Sequence, residues 1–273
     1  MKRIALLLLA GAIVATDAPP YRNSPERRTV VETRDWGEWA GPFRAKLVPS
    51  MMQDFGERYI YAPANAALPP PVKGVQRVVF LGDSITDQWN LARDFPGMPY
   101  VNRGISAQVT AQMLVRFEQD VVALQPTAVV ILAGTNDVTG FLQIETPETI
   151  IANISAMADI ADARGIRVVI GALLPVNDYN ENARYVVKER PPATLRAINA
   201  GLRGLARRRG YAFADYEMAL VDAHGLLCAA CSGDGLHPND TGYARMRPIV
   251  SAAIAQAINA LHHPAKLRGR PDR

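Results

Sequence analysis

Residues 78–89 read VVFLGDSITDQW, and the rest of the chain is intelligible as built around them. Gln76 to Leu81 is a short apolar, β-branched run, the composition of a strand buried on both faces. The run stops at Gly82, and Asp83 and Ser84 open a stretch compatible with a helix. A serine placed where a buried strand turns into a helix lies at the carboxyl edge of the sheet, where open α/β folds bind ligands. It also lies near a helix N-terminus, whose free N–H groups and positive dipole end favour developing negative charge. Taken alone, the tripeptide reads more readily as an ordinary turn with a capping serine. Its weight depends on partners elsewhere.

Outward from this stretch the chain alternates strands and helices. Tyr100 to Asn102 is a brief second strand, followed by a helix from about Ala107 to Leu124. Ala128 to Leu132 is a buried third strand, Pro147 to Ala163 a helix, and Arg167 to Ala172 strand four. Pro192 to Arg209 reads as a helix, Ala212 to Asp215 as a short last strand, and Thr241 to Leu261 as a closing helix. Repeated β-α units imply a parallel sheet with helices on both faces, an α/β fold. Upstream, a helix starting near Pro49 is expected to carry Met51, Met52, Phe55, Tyr59 and Ile60 as an apolar face packed on the domain.

The chain has 273 residues, 49% hydrophobic and 21% charged, which suits one globular domain with a sizeable core. The net charge of +4 is partly accounted for by the two ends and by Arg207 to Arg209 at a helix end. There is no basic stripe interleaved with aromatics, so nucleic acid is not an expected partner. Lys2 and Arg3 precede an apolar run from Ile4 to Ala15 and then small residues, the order of a secretory signal. Export to the periplasm or the medium is therefore expected, with cleavage after Ala18 or after Ala15. The run is too short to span a membrane, and no cysteine near the junction offers a lipid anchor. The organisation expected is a signal at 1–18, an arm and helix at 19–75, the main domain at 76–261 and a basic tail at 262–273. Cys228 and Cys231 are the only cysteines. A local disulfide bracing the loop after them is favoured over a redox pair or a zinc site.

Three further strand-end or loop motifs carry polar groups: Arg103-Gly104 after strand two, Gly134-Thr135-Asn136-Asp137 after strand three, and Asp234-Gly-Leu-His237-Pro-Asn239 near the C-terminus. Each alone suits a turn or a cap. A parallel sheet, however, delivers the loops after its first three strands to one edge, so Ser84, Gly104 and Asn136 can converge there. Acyl transfer needs a nucleophile, a base, an orienting carboxylate and donors for the tetrahedral oxyanion. Ser84, His237 and Asp234 supply the first three. The backbone N–H groups of Ser84 and Gly104 and the amide of Asn136 supply the donors. His224, two residues after Asp222, is a weaker base candidate, and His262 and His263 read as solvated ends.

GDS at 82–84, NRG at 102–104, GTND at 134–137 and DGLHP at 234–238 resemble the four blocks of the SGNH (GDSL-type) hydrolases. The resemblance runs over about residues 76 to 261, with Ser84, Gly104, Asn136 and His237 at the positions that give the family its name. It departs at Ile85, where the family nickname has leucine. Asp87 and Trp89 either shape the pocket floor or simply pack. The resemblance implies a three-layer α/β/α, flavodoxin-like fold with a five-stranded parallel sheet in order 2-1-3-4-5. It also implies ester hydrolysis with no metal and no cofactor, on small-molecule or carbohydrate esters. A short acyl group, acetyl above all, is the leading expectation. Lysophospholipase or thioesterase action, O-acyl transfer and a non-catalytic carbohydrate-binding role are the alternatives.

Overall fold

A computed structural model describes residues 37–140, 142 and 145–260 of the chain. The expected signal segment with its cleavage point, the start of the arm, His262, His263 and the basic tail lie outside these residues. In chain order the elements are α1 (Gly37–Gln53), α2 (Ala62–Ala67), β1 (Val78–Gly82), α3 (Ser84–Asp87), α4 (Leu91–Asp94), β2 (Tyr100–Gly104), α5 (Thr110–Asp120), β3 (Ala128–Leu132) and α6 (Thr135–Thr139). They continue as α7 (Pro147–Ala163), β4 (Arg167–Gly171), α8 (Val186–Glu189), α9 (Pro192–Arg209), β5 (Ala212–Ala214), α10 (Tyr216–Leu220) and α11 (Asp240–Asn259).

The sheet is parallel throughout, in the order β2-β1-β3-β4-β5. Every residue of β1 and β3 is buried, because alternate side chains enter two different cores. Val79, Leu81 and Ile131 pack under α5, α7 and α9, while Val78, Phe80 and Val130 pack against the α3–α4 segment and α11. Helices therefore cover both faces, giving the three-layer α/β/α fold. Trp89 belongs to the second core: it stacks on Tyr243 at 5.2 Å and donates its indole N–H to Asp94. Asp87 instead stays exposed and accepts a hydrogen bond from the Ser106 hydroxyl at 2.6 Å.

The chain turns outward from β1 to β2 on one side and to β3 on the other, and the crevice at this switch point is the expected ligand position. Register sets the level of its rim: Gly82 pairs with Gly104 on one side and with Leu132 on the other. The second strand therefore reaches two residues further than Asn102, to the glycine itself. A β-carbon on Gly104 would lie 2.1 Å from the Asp87 backbone nitrogen, so the turn of α3 can sit against β2 only over glycine.

The expected helix through Met51, Met52, Phe55, Tyr59 and Ile60 is not what forms. Helix α1 begins earlier and stops at Gln53, and turns occupy most of the chain from Asp54 to Tyr61. Gly56 and the left-handed Glu57 (φ 52°) break the helical path, and only Met51 of the five is buried. Likewise α5 starts at Thr110 rather than Ala107, because Ala107 is left-handed (φ 68°) and Asp137 accepts the Thr110 N–H.

One buried cation joins the ends of β1 and β2. Arg116 of α5 is fully buried and donates to Gly82 O (3.0 Å), Arg103 O (2.9 Å), the Gln108 side-chain oxygen (2.6 Å) and Asp120 (3.0 Å). Removing one partner of a buried pair leaves an uncompensated charge, at a cost of about 3–5 kcal/mol. Arg116→Met is expected to lower the unfolding free energy by that amount in urea titrations, and a change below about 1 kcal/mol would contradict the role given to this cation.

Candidate active site

Asp83, the residue after β1, is the N-cap of α3: its carboxylate accepts the Ile85 N–H at 2.9 Å. The cap is thus the aspartate and not the serine. Ser84 is left as the first helical residue, nearly buried at 7% exposure. Its N–H takes no acceptor among the described residues. Its Oγ lies 2.9 Å from Nε2 of His237, and Nδ1 of the same ring lies 2.6 Å from Oδ2 of Asp234. Three residues separated by as many as 153 positions therefore form one hydrogen-bonded line. In such a line imidazole can take the hydroxyl proton while the carboxylate fixes its tautomer.

The loop carrying Asp234 and His237 is braced on several sides. The other carboxylate oxygen of Asp234 accepts the backbone N–H groups of Leu236 (3.0 Å) and His237 (2.8 Å) and the Ser232 hydroxyl (3.1 Å). Gly235 is left-handed (φ 77°) and runs against the 177–183 segment, where its carbonyl accepts the Asn177 N–H at 2.9 Å. A β-carbon there would sit 2.2 Å from the Asn177 carbonyl oxygen. Cys228 and Cys231 are joined by a disulfide, and the Cys231 carbonyl accepts the Asn239 N–H at 2.9 Å. Asn239 in turn caps α11 through Gly242. The favoured bracing of this loop by a local disulfide is what the structure has.

Across the crevice, Asn136 lies in the first turn of α6 and donates to the Gln108 carbonyl at 3.1 Å, leaving its second amide hydrogen for another acceptor. Gly104 is at the same rim, but its N–H already donates to Asn102 Oδ1 at 2.8 Å. His224 is exposed, and its backbone N–H bonds Asp222 in a local turn. Sequence reasoning missed Asp83, Gln108, Arg116 and Arg190. Arg190, between α8 and α9, is buried, donates to Glu189 at 3.2 Å, and interacts electrostatically with Asp83 and Asp234. A signal existed for α5 alone: Gln112, Arg116 and Asp120 recur every four residues beside apolar Met113 and Phe117.

A sequence model of the GDSL-like Lipase/Acylhydrolase family matches residues 80–245. A GDSL-like lipase from Bacteroides thetaiotaomicron is 34% identical and superimposes with a TM-score of 0.69, over 75% of this chain and 100% of its own. A protein of known structure from Bacteroides fragilis is 33% identical, with a TM-score of 0.70 over 76% of this chain and 99% of its own. An acetyl xylan esterase from Geobacillus stearothermophilus shares the fold at 21% identity, with a TM-score of 0.52 over 67% of this chain and 94% of its own. No curated protein matches the chain. The chain belongs to the GDSL-like lipase/acylhydrolase family, the SGNH hydrolases, and is a carboxylic ester hydrolase.

Two buried carboxyls, Asp83 and Asp137, are shifted in the opposite direction to Asp234. Burial pushes Asp234 up, but hydrogen bonds from the His237 ring, His237 N–H and Leu236 N–H outweigh it and hold the group well below the usual carboxylate range. Burial dominates at Asp83 and at Asp137, raising each to about 6. A raised carboxyl binds its proton more tightly folded than unfolded, so its contribution to stability is full below about pH 4 and is lost as pH rises towards 6. Thermal unfolding of Asp83→Asn and Asp137→Asn between pH 4 and 7 is therefore expected to show a smaller decline with pH than the wild type. An unchanged slope in both variants would mean that these buried groups do not titrate there.

Proposed function

We propose that this esterase cleaves short-acyl esters, acetyl esters above all, with Ser84 as nucleophile, His237 as base and then acid, and Asp234 as the carboxylate that orients the ring. The observation that carries the reading is the line Ser84 Oγ–His237 Nε2 at 2.9 Å and His237 Nδ1–Asp234 Oδ2 at 2.6 Å. Ser84 Oγ attacks the ester carbonyl carbon and its proton passes to His237 Nε2. The tetrahedral oxygen is received by the N–H groups of Ser84 and Gly104 and by the free amide hydrogen of Asn136. Collapse expels the alcohol, which leaves with the proton from His237. Water then attacks the acyl-Ser84 carbonyl with His237 as base, releasing the acid and restoring the serine.

The short acyl group is supported by sequence, since no lid insertion or long apolar stretch interrupts the blocks. Small-molecule and carbohydrate esters both fit that limit. Export is supported by Lys2, Arg3 and the apolar run to Ala15, and the Cys228–Cys231 disulfide suits an oxidising compartment. Among the described residues no helix is long and apolar enough to cross a membrane. On this reading residues 1–18 are a signal, 19–75 an arm with helix, 76–261 the hydrolase domain and 262–273 a tail.

Nitrophenyl esters from acetate to laurate, an acetylated xylan and a lysophospholipid, assayed with wild type and Ser84→Ala, test the assignment. Turnover is expected to peak at acetate and to fall by several powers of ten in Ser84→Ala. Asn136→Ala is expected to lose on the order of 10²–10³ in turnover. Ser84-independent activity overturns the nucleophile, and a peak at laurate or lysolipid overturns the acyl preference. Acyl appearing on an added alcohol and not in water would make the protein a transferase. Mass spectrometry of the protein expressed with its own leader tests export: a chain still beginning at Met1 in the cytosol overturns it.

A further inference from the structure

The segment Phe55–Asn65 precedes the residues that match the family, 80–245, yet it is hydrogen-bonded along its length to Asn102–Asp120. Gln112 donates to Phe55 O at 2.9 Å, and the Gln108 amide donates to Gly56 O and to Glu57 Oε2, both at 3.1 Å. Tyr61 donates its hydroxyl to Gly104 O at 2.5 Å, with the Arg103 guanidinium 4.6 Å above its ring. Asn65 accepts from Arg103 at 2.8 Å and donates to Asp120 at 2.7 Å. This is docking by polar groups: Tyr59 and Ile60 remain exposed, whereas Glu57 and Gln108 are buried at 5% and 0% exposure.

Two of these bonds end on the frame of the donors assigned above. Tyr61 holds the carbonyl of Gly104. Glu57 and Gly56 hold the side chain of Gln108, whose backbone carbonyl is the acceptor that aims the Asn136 amide. Both ends of the Glu57–Gln108 contact are wound tightly, since Glu57 itself (φ 52°) and Ala107 beside Gln108 (φ 68°) are left-handed without being glycine. Such a conformation persists where its surroundings over-determine it, and such sites cluster where geometry serves function.

We propose that Phe55–Asn65 is a positioning brace for the oxyanion side of the site. By fixing the Gly104 carbonyl and the Gln108 amide, Tyr61 and Glu57 hold the Ser106–Gln108 turn, and through it the Gly104 N–H and the Asn136 amide. Oxyanion donors act at about 2.7–3.1 Å from the developing charge, and a misplacement of about 1 Å can cost on the order of 10² in rate. Neither residue touches a reacting atom. The inference rests on the roles proposed above for Ser84, Gly104 and Asn136.

The test uses the full chain with Tyr61→Phe, Glu57→Ala, the double variant and the conservative Glu57→Gln, on nitrophenyl acetate. An alkyl boronic acid, which forms a tetrahedral adduct on a nucleophilic serine, provides a second readout, and thermal unfolding confirms that each variant is folded. The double variant is expected to lose about 10- to 100-fold in kcat with KM within about twofold, and to bind the boronate weaker by the same factor as kcat. Glu57→Gln, whose amide oxygen can still accept from Gln108, is expected to stay within about threefold of wild type. Should the double variant not fold, Tyr61→Phe, which deletes one oxygen, carries the test with a smaller loss of the same pattern. Wild-type kcat and boronate affinity in a folded variant, or a change confined to KM, overturns the brace. Ser84→Ala in the same assay separates the two failures. If its activity survives, the catalytic assignment falls and the brace with it; if it is dead while the brace variants match wild type, only the brace falls.

Discussion

The Arg116 guanidinium has no access to solvent, and a cation is tolerable there only because each of its three nitrogens donates to oxygen. The acceptors come from different parts of the frame: the end of β1, the penultimate residue of β2, the loop after β2 and the last residue of α5. Ladder hydrogen bonds run out at the carboxyl edge of a parallel sheet, where the backbone must turn away towards its helices. There Arg116 adds to the last ladder bond, from Ile105 N–H to Gly82 O at 3.0 Å, a charged cross-tie between Gly82 and Arg103 at the level where the crevice opens. Asp120, at i+4, neutralises it and passes the connection to Asn65. Framework and N-terminal segment thus converge on one buried ion pair.

The half of the site proposed for acid–base work, Asp234 and His237, is held by different means. Asp234 spends one oxygen on its own loop and presents the other to His237, so the carboxylate orients the ring without itself swinging. The loop is pinned by Asn177 at Gly235, by Asn180 at Gly233, and by the helix cap at Asn239. None of these contacts involves Arg116 or the Phe55–Asn65 segment. The Ser84–His237 bond joins the two halves, which explains why its geometry depends on two separately braced bodies and not on one loop.

Much of this was legible in the chain. The bounds of β3, α7 and α9 agree with the reading residue for residue, because each is closed by a strong local signal: a buried β-branched run, a proline at the start, a glycine after the end. That Ser84, Gly104 and Asn136 could meet was legible because a parallel sheet brings the residues after its strands to one edge, whereas Asp234 and His237 were read from their spacing on one loop and from the block they share with the family. The segment at Asp54–Tyr61 was misread because helical spacing of Met51, Met52, Phe55, Tyr59 and Ile60 is a local pattern, whereas what fixes that backbone is remote. Its partners Gln108 and Gln112 lie 51 to 57 residues away, and two of their bonds end on the main-chain carbonyls of Phe55 and Gly56, which leave no mark on the sequence, while a third ends on the Glu57 carboxylate.

The hydrogen bond from Gly104 N–H to Asn102 Oδ1 was equally illegible, and it bears on how the proposed donors would work. Asn102 is fixed at its other end, donating to Thr86 O at 2.6 Å and Trp89 O at 3.1 Å, so its oxygen cannot swing aside freely. A neutral ester carbonyl arriving at Gly104 meets a donor already satisfied by a neutral acceptor of similar strength. A tetrahedral oxyanion does not, because a charged acceptor forms a bond roughly twice as strong. In the proposed role the occupied N–H would therefore contribute little to binding the substrate and most to stabilising the charge that develops on it. Binding energy realised only in the transition state raises kcat, whereas uniform binding lowers KM alone. Ser84 N–H and the second Asn136 hydrogen, with no such competitor, would grip substrate and transition state alike, so the three donors, though neighbours, are not equivalent.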